Sequence, residues 1–217
     1  MQRFKTFMCA LTTIAAVITI AACGGSREGG GSATAADLSG FAIENRVTNS
    51  IVSNRLIQLI DENIAPWLGD PILSQAVAAA NTRNRGRTLA TIKELDERWI
   101  ATQGSDPQFQ PYFNNEASTK LRQIKSASDG LYSEIFLMDN QGCIVSLSDA
   151  TSDYWQGDEA KFKVSYADGR GYIFIDKVEY DESARVNLVQ ISLPITEPGS
   201  RVVIGAITVG ININRIQ

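Results

Sequence analysis

The fold is decided by residues 133–183, which read SEIFLMDNQGCIVSLSDATSDYWQGDEAKFKVSYADGRGYIFIDKVEYDES. Two short apolar runs, at 135–138 and 144–147, flank the polar sequence Asp139-Asn140-Gln141-Gly142. Polar turn residues that end in a glycine, which tolerates a positive φ, are typical of a β-hairpin. The stretch therefore predicts that this part of the chain belongs to an antiparallel sheet.

A polar, aromatic-rich segment follows the hairpin at 151–162, and it reads TSDYWQGDEAKF. It is too polar for a core strand and too aromatic for an ordinary solvated loop. Strand-like sequence returns at 172–175, and a second acidic cluster follows at Tyr180-Asp181-Glu182. Aromatic walls beside carboxylates indicate a surface that could bind a small molecule.

The order of these elements resembles the Cache superfamily, the PAS-like (PDC-type) extracytoplasmic sensors of bacterial receptors and kinases. The resemblance covers about residues 41–216 and includes the DNQG hairpin, TSDYWQGDEAKF, EYDES, a strand ending in Leu193-Pro194-Ile195, and Val203-Ile204-Gly205 at the start of the last strand. It implies a ligand pocket between the segment after the hairpin and the following strands. The ligand-binding residues that it implies are Tyr154, Trp155, Asp158, Phe162, Tyr172, Tyr180 and Asp181.

Within that resemblance, Asp181 is the carboxylate that would hold the ammonium group of a ligand. Amine-binding members of the superfamily carry an Arg-x-Trp-Tyr pattern where this chain has Glu159-Ala160-Lys161-Phe162, so the clamp for an amino acid's carboxylate is missing. A structural alternative stays open for each residue: Trp155 and Phe162 pack the loop on the core, and Asp158 caps a turn.

Residues 1–22 have the features of a signal peptide, with Arg3 and Lys5 before an apolar run. The sequence Ile20-Ala21-Ala22-Cys23-Gly24 resembles a bacterial lipobox, which implies a lipid on Cys23; the alternative is ordinary secretory cleavage beside an incidental cysteine. Residues 23–40 are rich in Gly, Ser and Ala and predict a flexible tether with a reach of roughly 20–25 Å. The remaining residues, 41–217, are predicted to form one domain.

The composition excludes several classes of protein. Without the signal, 18 Lys and Arg oppose 24 Asp and Glu, and an acidic chain without a basic stripe argues against nucleic acid as a partner. The chain has no histidine, and Cys143 would be its one unmodified cysteine, so neither a disulfide nor a nucleophile–base pair is expected. Neighbouring carboxylates such as Asp158 and Glu159 are the remaining route to acid–base chemistry, but surface charge explains them, and we expect no enzyme, cofactor or metal.

The predicted fold class is α+β. The apolar period over 41–64 predicts one long first helix of about 25 residues, or roughly 37 Å, which would end at Pro66 and either pair with a second copy or pack on its own sheet. Further helices are expected from Pro71, near 88–101 and near 115–127, and the arginine-bearing loop 81–87 is expected to be a solvated turn or a contact for a partner or for lipid. Five antiparallel strands are expected near 134–138, 143–147, 171–176, 187–194 and 202–213.

These features together predict a lipid-anchored domain that faces the periplasm and senses a small, amine-bearing ligand. The absence of Asp directly after Cys23 favours the outer membrane in a cell with two membranes. Because the chain ends at Gln217, directly after the last predicted strand, we expect the domain to act through an envelope partner. The alternative is a structural adaptor lipoprotein of an envelope complex, with a pocket filled by its own side chains.

Overall fold

The computed structural model describes residues 34–181 and 185–216. These residues combine helices with one mixed sheet, which confirms the α+β class. The strands are β1 (Ile43–Asn45), β2 (Tyr132–Met138), β3 (Ile144–Leu147), β4 (Ile173–Ile175), β5 (Glu179–Asp181), β6 (Val186–Thr196) and β7 (Val203–Asn212). The helices are α1 (Ser50–Leu59), α2 (Ala65–Leu68), α3 (Pro71–Asn84), α4 (Leu89–Thr102), α5 (Gln110–Phe113), α6 (Glu116–Ala127) and α7 (Ala160–Tyr166).

The strands lie in the order β1-β4-β6-β7-β2-β3, and β5 pairs with β6 beyond the end of β4. The long β6–β7 hairpin forms the centre of the sheet. Residues alternate between two faces along β7: Ile207, Val209 and Ile211 join the larger hydrophobic core with α1, α3 and α6. On the opposite face, Ala206 joins a second, aromatic-rich core.

The predicted sheet of five antiparallel strands is wrong in two respects. The described residues form seven strands, and β1 runs parallel to β4 with Ile43 opposite Ile173. Both missed strands, β1 and β5, are three residues long. A segment of three residues carries too few alternations to be distinguished from a loop, so the formation of these strands depends on the strand with which each one pairs.

The prediction of one helix from about residue 41 is also wrong, because the chain enters β1 and turns before α1 begins at Ser50. The side chain of Asn45 accepts a hydrogen bond from Val47 N, and Asn49 caps α1 through Ile51 N and Val52 N. Helical structure then continues past Pro66 to Leu68. It can do so because 60–64 forms a wider π-helical turn just before this proline, which has no N–H to donate.

The other predicted helix starts are confirmed. Asp70 caps α3 by accepting from Ile72 N, Thr88 caps α4 by accepting from Thr91 N, and Asn115 caps α6 by accepting from Ser118 N. Short polar side chains at these positions satisfy backbone donors that have no partner inside the helix.

The signal peptide at 1–22, Cys23 and most of the tether lie outside the described residues. Leu38, near the start of the described residues, packs in the larger core and is 8% exposed. Within the described part of the chain, no helix combines the length and the apolar character needed to cross a membrane.

Candidate ligand-binding cleft

Tyr154, the first of the predicted ligand-binding residues, is fully buried. Its ring packs against the rings of Trp99, Phe109 and Tyr112 at centroid distances of 6.0, 6.1 and 5.3 Å. Its hydroxyl lies 3.2 Å from the Tyr112 hydroxyl and accepts a hydrogen bond from Arg87 Nη1 at 3.0 Å. Burial raises the pKa of Tyr154, so the side chain is a neutral part of the core.

Asp96 of α4 holds the segment that carries Tyr154 and Trp155. One carboxylate oxygen, Oδ1, accepts from the backbone N–H of both residues, at 2.8 and 2.9 Å. Burial raises the pKa of Asp96, and the two backbone hydrogen bonds act in the opposite direction. The carboxylate therefore fixes the loop on the outside of the aromatic core.

The structure separates the remaining predicted residues. The half-buried Trp155 donates its indole N–H to Gln141 O at 2.8 Å, and Phe162 stacks on Tyr166 at 5.2 Å. Asp158 is exposed, and Tyr172 is 36% exposed. Asp181 is the last residue of β5, and its side chain lies outside the described part.

Tyr180 is the predicted residue that lines a polar cleft. The cleft has a volume of about 480 Å³ and lies on the sheet face opposite the larger core. Its walls and floor come from β2, β4–β5, β6, β7 and the start of α7. The lining residues are Ser133, Glu134, Glu159, Lys161, Asp176, Lys177, Glu179, Tyr180, Leu188, Gln190 and Gly210.

Gly210 forms the floor of the cleft. A Cβ at this position would lie 2.3 Å from Ser133 Oγ and 2.9 Å from Glu134 Cγ. The pairing of β2 with β7 shifts between Tyr132 and Glu134, and this irregularity brings both Ser133 and Glu134 over Gly210. Glu134 accepts from Gln190 Nε2 at 2.8 Å, whereas Ser133 Oγ is buried without a hydrogen-bond partner among the described residues.

Lys161 and Glu159 form one wall at the beginning of α7. Their charged atoms lie 3.0 Å apart, and the Lys161 ammonium lies 5.4 Å from the centre of the Phe136 ring. Burial raises the pKa of Glu159, and the neighbouring Lys161 opposes this shift. The lysine side chain is 13% exposed, so its charge is compensated by a carboxylate and an aromatic face rather than by water.

The opposite wall contains Asp176, Lys177 and Glu179. Lys177 and Glu179 form an exposed pair at 2.9 Å. Asp176 accepts from Lys177 N at 2.8 Å, and it also lies 3.5 Å from Nη1 of Arg46. Exposed pairs of this kind contribute little to stability, so this wall can rearrange around a ligand at low cost.

The buried thiol of Cys143 is held in an unreactive state. Burial raises the pKa of Cys143 to about 12, so its thiol is neutral at physiological pH and is a poor nucleophile. In the described ranges, no group of three or more His, Cys, Asp or Glu side chains is arranged to hold a metal ion. The geometry of the cleft suits recognition by charge and hydrogen bonds.

A larger concavity, of about 530 Å³, lies between 34–38 and the β6–β7 hairpin. Its charged lining residues are Asp37, Glu197 and Arg201, and Arg201 pairs with Asp37 at 2.6 Å where both side chains are about two-thirds exposed. The rest of its lining is mainly small, apolar or backbone-rich. We prefer the smaller cleft because polar groups from several strands converge there.

Sequence reasoning missed Glu134 and Gln190 as lining residues. Gln190 lies between Val189 and Ile191, which both face the larger core, and this alternation is a readable signal for a polar group on the opposite face. Glu134 has such a neighbour on one side only, Ile135. That signal identifies the face, but strand pairing was needed to bring the two residues together.

Comparison with known proteins finds likeness at the level of structure. No protein-family model matches the sequence, and no curated protein matches it significantly. Similar solved structures include the ligand-binding domain of the Pseudomonas aeruginosa amino acid chemoreceptor PctC with GABA (14% identity, TM-score 0.32, 67% of this chain and 60% of that chain). Another is the ligand-binding domain of the Campylobacter jejuni chemoreceptor Tlp3 with 4-methylisoleucine (14% identity, TM-score 0.35, 78% of this chain and 63% of that chain).

A third similar structure is the sensor domain of the Vibrio cholerae histidine kinase DctB (13% identity, TM-score 0.31, 76% of this chain and 57% of that chain). The structural neighbours are thus extracellular sensor domains of the Cache type from chemoreceptors and histidine kinases. The chain spans less than two-thirds of the length of each of these three structures. Likeness at these identities and TM-scores does not transfer a ligand or a mechanism to this chain.

Proposed function

We propose that this protein is a lipid-anchored, extracytoplasmic domain that binds a small ligand in the cleft over Gly210 and acts through a partner protein. The observation that carries the proposal is the cleft itself, where polar and charged side chains from β2, β6, the β4–β5 segment and the start of α7 converge over Gly210. The charged groups around it supply specificity for a polar ligand.

A thermal-shift screen tests this proposal directly. The soluble chain from Gly24 retains Leu38 in the core, and we expect at least one compound in a panel of amino acids, amines, organic acids and nucleobases to raise its melting temperature. A ligand at 100 times its Kd stabilises the folded state by about 2.7 kcal/mol. A complete panel without a shift at millimolar concentration would contradict the sensor function.

Two exposed tyrosines provide a matched pair of variants for locating the site. Tyr180 lines the cleft and is 57% exposed, whereas Tyr172 is 36% exposed and lies outside the cleft lining. We expect Tyr180→Ala to weaken binding about tenfold through the lost aromatic contact and Tyr172→Ala to change the Kd less than twofold. Calorimetric titration measures both, and the reverse order would place the ligand elsewhere.

The alternative function is a structural adaptor of an envelope complex with no exchangeable ligand. The packing of Tyr154 favours it, because this predicted ligand-binding side chain is fully buried among aromatic rings of the protein itself. The adaptor would be supported if an envelope complex were recovered equally well with the wild-type chain and with Tyr180→Ala, while the ligand screen gave no shift.

The anchor that we propose is a lipid on Cys23. The first described residues, 34–38, lie beside the β6–β7 hairpin. The lipobox pattern at 20–24 supports the anchor, and an outer-membrane location is part of the proposal.

Cys23→Ser removes the thiol that would carry the lipid, so we expect loss of membrane association and accumulation of uncleaved precursor. The matched control is Cys9→Ser, which replaces another cysteine in the first 23 residues and leaves the proposed acylation site intact. Membrane fractionation and metabolic labelling with a fatty acid measure the difference. Equal labelling and equal membrane association of the two variants would rule out the lipid anchor.

The partner that we propose is a different envelope protein rather than a second copy through the first helix. On α1, Asn54, Arg55 and Gln58 are exposed, and Ile51 is the large apolar residue exposed on this helix. A stable helix pair needs a continuous apolar seam. The exposed residues of α1 supply no such seam.

A further inference from the structure

We propose that the ligand of the cleft is a linear organic diamine that lies across the sheet between Glu134 and Asp176. This inference rests on the proposed function and adds the charge and the shape of the ligand. It depends on three features of the described residues: the carboxylate charge that has no cationic partner within the cleft, the polar floor, and a cross-strand row of four residues on one face of the sheet.

The charges of the cleft favour a cation. Its lining carries four carboxylates and two lysines, a formal balance of −2. Each lysine already has a carboxylate, Lys161 at Glu159 and Lys177 at Glu179. An anionic ligand would have to break one of these pairs, whereas a cation meets carboxylate charge that is still available.

Glu134 supplies most of that available charge. None of the ion pairs formed among the described residues includes it, and the hydrogen bond from Gln190 Nε2 holds its carboxylate in place. Ser133 Oγ lies beside it, buried and without a partner in the described structure. An ammonium group has three donors, so one group can pair with the Glu134 carboxylate while the hydrogen bond from Gln190 stays in place.

The second carboxylate lies in the same cross-strand row. Glu134 pairs with Gly210, and Gly210 pairs with Gln190. Ile175 pairs with Ile191, and Asp176 N donates to Gln190 O, so Asp176 is the next position in the row. The row therefore reads Glu134, Gly210, Gln190, Asp176, with a carboxylate at each end and the Glu134–Gln190 hydrogen bond above Gly210.

The length of this row fits a short diamine. Three strand spacings of about 4.8 Å separate the backbones of its end residues by roughly 14 Å, and the Glu134 side chain reaches inward to Gln190, so the two carboxylates lie closer together than the backbones do. The ammonium groups of an extended four-carbon diamine are about 6 Å apart, so a diamine that lies along the row can place one group above each carboxylate. Tyr180, which is 57% exposed, adds an aromatic face for one of the ammonium groups.

Asp176 is the weaker of the two ends. It lies 3.5 Å from Arg46, a residue that also pairs with Glu44 at 3.1 Å. A ligand ammonium at Asp176 shares the carboxylate with this arginine, whereas Glu134 has no competing cation in the described ion pairs. The loss of Glu134 should therefore weaken binding more than the loss of Asp176.

The test compares three four-carbon compounds that differ mainly in charge: 1,4-diaminobutane, 4-aminobutanoate and succinate. We expect the diamine to bind most tightly in calorimetric titration at low salt, and its Kd to rise as salt screens the charges. Glu134→Gln should weaken diamine binding about 30-fold or more, as is typical when one partner of a close charge pair is removed. Asp176→Asn should have a smaller effect.

The control is Glu94→Gln, which removes an exposed carboxylate of α4 outside the cleft, and it should leave the Kd within twofold. If succinate or 4-aminobutanoate bound more tightly than the diamine and its binding required Tyr180, the cleft would stand and the diamine inference would fail. An absence of diamine binding to the folded wild-type protein, or equal diamine affinity of Glu134→Gln and Glu94→Gln, also overturns the inference. Melting curves for every variant separate lost binding from lost folding.

Discussion

Trp99→Ala is expected to destabilise the domain by about 3–5 kcal/mol, because it empties the centre of the aromatic core. Trp99 is fully buried, stacks on Phe113 at 5.5 Å and meets Phe109 edge-on at 5.0 Å. Its indole N–H also donates to Thr151 O at 2.9 Å, and the substitution leaves this carbonyl without its donor. Thermal unfolding should show a fall in melting temperature of roughly 6–20 °C for a domain of this size.

The next residue in the chain is the control for this prediction. Ile100 is 52% exposed on the outer face of α4, so Ile100→Ala should change the free energy of unfolding by about 0.5 kcal/mol or less. The two variants share one helix and similar helix propensity at the substituted position. Similar melting temperatures for the two would mean that the aromatic core does not stabilise the fold.

The aromatic core also explains why the predicted binding residues separate. Tyr154 and Trp155 are adjacent in the sequence, and adjacency alone does not say which of them faces inward. Asp96 resolves this by accepting from both backbone N–H groups, which leaves Tyr154 fully buried among rings from α4 and α5 and leaves Trp155 at the surface of the loop. No periodic signal in an irregular segment encodes that choice.

Local chemistry made the helix starts predictable. Asp70, Thr88 and Asn115 each cap the helix that follows, because a short polar side chain beside an amphipathic run satisfies a backbone donor whatever lies further away. The long strands were predictable for a similar reason, since ten residues of alternation in β7 define two faces without reference to a partner. Both kinds of signal are contained within a single element.

The elements that sequence reasoning missed depend on contacts between distant parts of the chain. β1 exists because Ile43 meets Ile173, 130 positions away, and the same residues read equally well as the first turns of a helix. The floor of the cleft also depends on contacts between distant parts of the chain, since Glu134, Gly210 and Gln190 lie on three strands that come together only in the sheet. The resemblance pointed to the segment after the hairpin and the strands that follow it, whereas the lining of the cleft depends on which strands pair.

The buried carboxylate of Asp139 supports the last prediction. Asp139 is fully buried in the hairpin turn; its Oδ1 accepts from Gln141 N and Cys143 N, and its Oδ2 accepts from Asn84 Nδ2 at 2.7 Å. Asp139→Ala removes both acceptor oxygens and leaves three donors without their partner. Because a buried donor without a partner costs about 1–3 kcal/mol, we expect a loss of about 3 kcal/mol or more in the free energy of unfolding.

Asp139→Asn should lower the free energy of unfolding less than Asp139→Ala does, because Asn84 Oδ1 has no hydrogen-bond partner in the described structure. A rotation of the Asn84 amide would offer this oxygen to the new amide at 139, whose own oxygen can still accept from the two backbone N–H groups.

Burial raises the pKa of Asp139, with the hydrogen bonds and Arg87 opposing this shift. The folded state therefore holds its proton more tightly than the unfolded state does.

The sign of the pH dependence follows from this difference in proton binding. A carboxyl whose pKa is raised by folding contributes stability at low pH, and that contribution falls as the pH rises from the ordinary aspartate value to the raised one. The amide in Asp139→Asn does not titrate, so this variant does not lose stability in this way. The free energy of unfolding of the wild type minus that of Asp139→Asn should therefore decrease between the ordinary and the raised pKa of Asp139, and it should stay level at higher pH. Denaturant unfolding at a series of pH values measures the difference, in which the shifts of Asp96 and Glu159 cancel. A difference that grew with rising pH would mean that folding stabilises the charged form of Asp139.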